Sequence, residues 1–171
     1  MGRWPRIAGG CSLFAALLLA ACSSSSNFQA SANVAGAYTV NVTNADNGCN
    51  IENWDDGKST SDIPFTIVQQ DANLTGELQG GAGLLLDLWI GTNDFTGTAN
   101  GESFDITAHG TKMQAQGTCM YDLNAEIQGS ISGDAISGTI KYAPATTNDP
   151  ACASLQCSST QNFNGTRPPP S

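Results

Sequence analysis

The sequence predicts an all-β domain, a small up-and-down antiparallel barrel or coiled meander of about eight to ten strands. Three observations carry this. Apolar residues alternate with polar ones at a period of two, two-residue turn signals punctuate the alternation, and glycines recur on its apolar face. A β-sandwich is the alternative arrangement for the same pattern.

The alternation begins at Tyr38, Val40 and Val42, and resumes at Phe65 and Ile67, at Leu74, Gly76 and Leu78, at Phe95, Gly97 and Ala99, and at Phe104, Ile106 and Ala108. Thr, Asn, Asp, Glu and Gln fill most positions between them, so one face of each strand packs inward and the other meets water. From Met113 to Ile131 the alternation outruns an ordinary strand, and a tight turn is expected near Asp122 to Asn124. No helical-length window combines an apolar stripe at 3.6 spacing with capping signals, so little or no helix is expected.

Turn chemistry divides the strands. Asn100-Gly101, Gly133-Asp134 and Asp71-Ala72 each separate two alternating runs, and residues that tolerate positive φ are what a two-residue hairpin needs. The pattern apolar, polar, Gly, polar, apolar recurs at Leu74–Leu78, Phe95–Ala99, Ile127–Ile131 and Ile136–Ile140, and begins again at Phe163. Mid-strand glycine packs nothing itself, so its repeated use marks a bend or the close approach of a neighbour, as in a sheet coiled tightly on itself. Leu84 to Ile90 breaks the alternation, with Asp87 its only polar member. We expect a strand covered on both faces, for example by the loop from Asn44 to Asp62. An exposed apolar patch for a partner or ligand is the competing reading.

The two ends differ from the body. Arg3 and Arg6 precede a short apolar run, Leu13 to Leu19. That run is too short to span a bilayer and reads as a secretion signal. The junction Leu19-Ala20-Ala21-Cys22 resembles the lipobox of bacterial lipoproteins. The resemblance implies cleavage before Cys22, acylation of that cysteine and anchoring of the chain to a membrane of the cell envelope. With Ser23 after the cysteine in place of an aspartate, it implies the outer membrane. The expected organisation is a signal at 1–21, a lipidated Ser-rich tether at 22–32, a β-domain at 33–167 and a Pro-rich tail at 168–171.

All 15 acidic residues but only four of the six basic ones follow Cys22, so the mature chain carries a formal charge of −11. That excludes nucleic-acid binding as an expectation. Setting aside Cys11 and Cys22 leaves Cys49, Cys119, Cys152 and Cys157, an even number in an oxidising compartment, and two disulfides are expected. The short spacer between Cys152 and Cys157 permits a local loop, leaving Cys49 to pair with Cys119; the other pairings stay open. The lone His109 ends a strand on its polar phase, and no nucleophile elbow accompanies it. No enzyme activity and no cofactor are expected. Asp46, Asp55, Asp56 and Asp62 are weak calcium candidates in an oxygen-rich loop whose spacing does not follow the EF-hand pattern.

Hairpin-linked strands carrying Leu74-Thr75-Gly76 and Phe95-Thr96-Gly97 resemble the calycin group of up-and-down barrels, which includes lipocalins and avidins. The resemblance implies a small apolar ligand held in the barrel mouth, with Tyr38, Trp54, Trp89 and Tyr121 as candidate lining. The Gly-x-Trp of lipocalins is replaced by Gly36-Ala37-Tyr38, and two tryptophans after the signal are too few for an avidin-like biotin wall. Two functions are therefore carried forward. One is a non-enzymatic envelope lipoprotein with a structural or protein-interaction role, anchored by lipid and meeting an envelope protein partner. The other is a barrel that binds a small apolar molecule.

Overall fold

A computed structural model describes residues 32–145, 150–153 and 155–168. Cys22, the signal and most of the tether lie outside the described residues. The chain forms β1 (Gly36–Asn47), β2 (Ser59–Gln70), β3 (Asn73–Leu78), α1 (Gly80–Ile90), β4 (Asp94–Asn100), β5 (Ser103–Ala108), β6 (Gln114–Gln116), β7 (Cys119–Tyr121), β8 (Leu123–Ser132), β9 (Ala135–Pro144) and β10 (Ser159–Thr166), with a 3-10 turn at Pro150–Cys152. Eight strands close an antiparallel barrel in the order β1, β10, β9, β8, β5, β4, β3, β2. Every barrel strand neighbours the next one in the chain. The separate hairpin β6–β7 is inserted between β5 and β8.

The period-two pattern becomes the barrel's inside and outside. Tyr38, Val40, Phe65, Ile67, Leu74, Phe95, Ile106, Ile127 and Ile136 are almost wholly buried in one continuous core, while residues such as Thr39, Asn41, Thr75 and Ser137 face out. Apolar-in and polar-out is the inverse of a barrel that crosses a membrane. The inward glycines make room for rings. A Cβ on Gly129 would meet the Phe104 ring at 2.4 Å, and one on Gly76 would meet Phe65 at 3.2 Å. Small and large residues thus alternate across the narrow interior, as a filled barrel of eight strands requires.

Three hairpins of the barrel turn in two residues, at 71–72, 101–102 and 133–134, with positive φ at Asp71, Gly101 and Gly133. The expected turns are found, that at Asn100-Gly101 displaced by one residue because Asn100 itself pairs with Ser103. The turn expected near Asp122 falls earlier, at Gly117-Thr118, where Gly117 supplies the positive φ between β6 and β7. Asp122 only interrupts the strand.

Little helix is expected, and among the described residues α1 is the one α-helix, standing where Leu84 to Ile90 read as a strand. Its residues Gly80–Ile90 are apolar around most of the circumference, and its N-cap Gln79 makes no side-chain hydrogen bond. Only Gly91, left-handed at φ 88° and donating its N–H to the Asp87 carbonyl, marks a helix end. Tertiary packing forms this helix where local propensity is poor. Gly83 sits against β3, where a Cβ would come within 2.1 Å of the Leu78 carbonyl oxygen, and Leu86 and Ile90 bury on the same side.

The three tight hairpins between barrel strands all lie at one end of the barrel, together with the start of β1 and the end of β10. Arg167 latches that closed end: its side chain bonds the carbonyls of Asn33 and Ala35 and pairs with Asp134 at 3.3 Å. The four long connections, 48–58, 79–93, 109–122 and 145–158, all emerge at the opposite end. That end is the mouth.

Candidate functional site

The mouth opens into a cleft of about 1060 Å³, comparable with the larger small-molecule sites of proteins. Its floor is the upper rim of the core, Val42, Ile63, Leu78, Leu123, Ile140 and Tyr142. Trp54 from the 48–58 connection, Leu85, Leu86 and Trp89 from α1, and Tyr121 from β7 form the walls. Four glutamines, Gln79, Gln114, Gln116 and Gln161, line it together with Asn50, Asn53, Thr60 and Ser61.

Each wall is fixed by its own bonds. Asn47 closes the 48–53 turn, accepting from Ile51 N–H at 2.7 Å and donating to the Ile51 carbonyl at 3.0 Å. Buried Ser159 donates to Asn47 and accepts from the Cys49 N–H, which ties the start of β10 to the same turn. The indole of Trp54 donates to the Ala45 carbonyl at 3.0 Å. On the other side, the segment 111–114 satisfies the last carbonyls of α1: Thr111 and Lys112 donate their backbone N–H groups to Ile90, the Lys112 ammonium bonds Leu88, and the Gln114 amide donates to Trp89 at 2.8 Å. A cation at a helix C-terminus is favourably placed.

Tyr142 sits between the two indoles. Its ring lies 6.1 Å from Trp54, edge-on, and 5.2 Å from Trp89, tilted. Its hydroxyl donates to Gln161 at 2.8 Å, and the Gln161 amide donates in turn to Asn44 at 2.7 Å. Burial pushes the Tyr142 hydroxyl well above the usual tyrosine value. The unfolded chain therefore loses this proton first as pH rises, at about 10. The folded state then holds more protons than the unfolded one, and stability falls with pH. Its contribution is complete below about pH 10 and is lost above that value as pH climbs toward the raised native pKa. Chemical denaturation of Tyr142→Phe between pH 9 and 12 is expected to show a shallower alkaline loss than the parent chain, by up to about 1.4 kcal/mol per pH unit.

The disulfides lie at this end as well, but not as the spacing suggested. Cys49 pairs with Cys157 and Cys119 with Cys152, so the expected Cys152–Cys157 and Cys49–Cys119 pairs are corrected. Leu155 and Cys157 belong to the cleft lining whereas Cys152 approaches the Met120 carbonyl near β7, so the two neighbouring cysteines serve different walls. Together the bridges join three of the four mouth connections.

Of the candidate lining residues, Trp54, Trp89 and Tyr121 meet at the cleft. Tyr38 does not. It lies near the closed end with its hydroxyl on the Val34 carbonyl at 2.8 Å and Arg167 over its ring. Tyr142 takes the place expected of it. Its apolar phase on β9 reads as core, and only its nearness to a strand end signals a site. The Leu84 to Ile90 run is corrected too, from a doubly covered strand to a helix with Leu84, Leu85 and Leu88 exposed by 72 %, 68 % and 67 %. The calcium candidates do not converge. Asp46 and Asp56 are exposed, Asp55 pairs with Lys58 at 3.1 Å, and no group of three metal-binding side chains occurs among the described residues.

Comparison of the chain with protein-family models, with curated proteins and with solved structures finds no match.

Proposed function

We propose that this chain is a lipid-anchored envelope protein whose barrel holds a small apolar molecule in its mouth. One observation carries the reading: two half-exposed indoles and two tyrosines line a roomy cleft over an apolar floor. A barrel serving only as a scaffold would be filled by side chains to both ends. Here the filling stops below the four long connections.

The protein-interaction reading draws support from the exposed leucines of α1, since such faces mark contact sites. Leu85 belongs both to that face and to the cleft wall. The ligand reading therefore accounts for Leu85 as the apolar approach to the site.

The anchor adds an orientation. Ala32 lies at the closed end, where its N–H bonds the Gly101 carbonyl. Ten residues from Cys22 to Ser31 reach at most about 35 Å, so a chain held at Cys22 is tethered through its closed end, with the mouth at the far end from the attachment.

Titration of the protein with the neutral dye N-phenyl-1-naphthylamine tests the ligand reading. A saturable rise in dye emission, weakened at least about ten-fold by Trp89→Ala, is expected; a linear, unsaturable response would discard the reading. For the anchor, Cys22→Ser is expected to move the protein from the membrane to the soluble fraction, and unchanged membrane retention would count against it.

A further inference from the structure

Resting on the ligand reading above, we infer that the mouth selects an apolar molecule bearing a positive charge and discriminates against fatty acids and other apolar anions. The ionisable inventory of the cleft points this way. Among the described residues, Glu52 and Asp62 are the only formally charged side chains that line it, and no lysine, arginine or histidine does. The lysines of the mouth connections are engaged elsewhere, Lys58 with Asp55 and Lys112 with the Leu88 carbonyl. A carboxylate leaving water for this cleft would find no fixed cation and would face two acids, inside a chain of formal charge −9.

One feature works in the opposite sense. Gly81 and Ala82, in the first turn of α1, also line the cleft, and a helix N-terminus favours anions. That effect is a partial charge confined to one turn and screened by salt, set against two full negative charges.

The aromatic groups favour a cation independently of the acids. Trp54, Trp89 and Tyr121 are partly exposed at the cleft, and Tyr142 bridges the two indoles. Ring faces attract ammonium groups, indole most strongly, and quaternary ammonium recognition uses such clusters. The four glutamines add dipoles but no charge. An alkyl or aryl body would lie on the floor formed by Ile63, Leu78 and Ile140, with its ammonium group among the rings and below the acids at the rim.

The test matches chain length and varies only the head group. Dodecyltrimethylammonium, dodecanol and dodecanoate, each below its micelle or solubility limit, compete against the bound naphthylamine dye on the chain carrying Cys22→Ser, so that no acyl chain of its own competes. The ammonium compound is expected to displace dye at about ten-fold lower concentration than dodecanol, with dodecanoate weakest. In Glu52→Gln/Asp62→Asn the ratio of ammonium to alcohol affinity is expected to shrink several-fold. In Glu102→Gln/Asp105→Asn, outside the mouth, it is expected to hold. Equal or tighter binding of dodecanoate overturns the selectivity while leaving the ligand site standing, as does a ratio that shrinks equally in both double variants, which would assign it to the general surface charge. Failure of all three compounds to displace the dye overturns the ligand reading and the selectivity together.

Discussion

Replacing Gly138 by alanine is expected to destabilise the barrel by about 3 kcal/mol, lowering the melting temperature by roughly 10 °C. Gly138 on β9 pairs with Gly129 on β8 and with Phe163 on β10. A Cβ there would come within 2.1 Å of the Gln128 carbonyl oxygen, 2.6 Å of the Gly129 Cα and 2.8 Å of the Phe163 ring. Two of these are backbone atoms of the neighbouring strand, so no rotamer change relieves the clash; β8 and β9 must separate. The neighbouring Thr139 is exposed, and Thr139→Ala is expected to stay within about 0.5 kcal/mol of the parent. Thermal unfolding of the pair checks the claim that the inward glycines are placed for space. A tolerated alanine at 138 would contradict it.

The second large effect concerns the mouth. Removal of the Cys49–Cys157 bridge, as Cys49→Ser/Cys157→Ser, is expected to cost about 2–4 kcal/mol, because it frees a closure spanning 108 residues. It should also weaken dye binding, since both cysteines line the cleft and the bridge holds the 48–58 connection that carries Trp54. Denaturant titration gives the stability, and dye titration of the still-folded variant gives the second effect. Peptide mapping of the unreduced parent provides the structural control. A fragment joining Cys152 to Cys157 would remove the basis of both expectations.

Strands and hairpins were legible because side chains alternate strictly along a strand and because a two-residue turn demands positive φ. Both constraints are local. The inward glycines of β3, β4, β8, β9 and β10 were legible for the same reason, since their phase matched that of Leu74, Phe95, Ile127, Ile136 and Phe163. Helix α1 was not. Three exposed leucines and a glycine-rich first turn erase the one-sided stripe by which helices are recognised, and Gly91 was the single boundary signal. Disulfide partners depend on which connections share a barrel end, and spacing along the chain does not encode that. The same topology separates Tyr38 from Tyr142. Both lie on the inward phase about two residues from a strand end, but Tyr38 is near the start of the first barrel strand and Tyr142 near the end of the seventh, and in an up-and-down barrel those are opposite ends.

On the proposed function, the mouth, and not the closed end or the outer face, receives an apolar ligand. Trp54 and Trp89 are the tryptophans of the folded body, and both stand at the mouth. Their indole N–H resonances in a two-dimensional ¹H–¹⁵N spectrum therefore report on the site directly. Titration with an apolar ammonium compound is expected to shift both, together with the backbone amides of Leu85 and Tyr121, while those of Gly101 and Gly133 at the closed end stay in place. Shifts at the closed end with both indoles unmoved would contradict the claim.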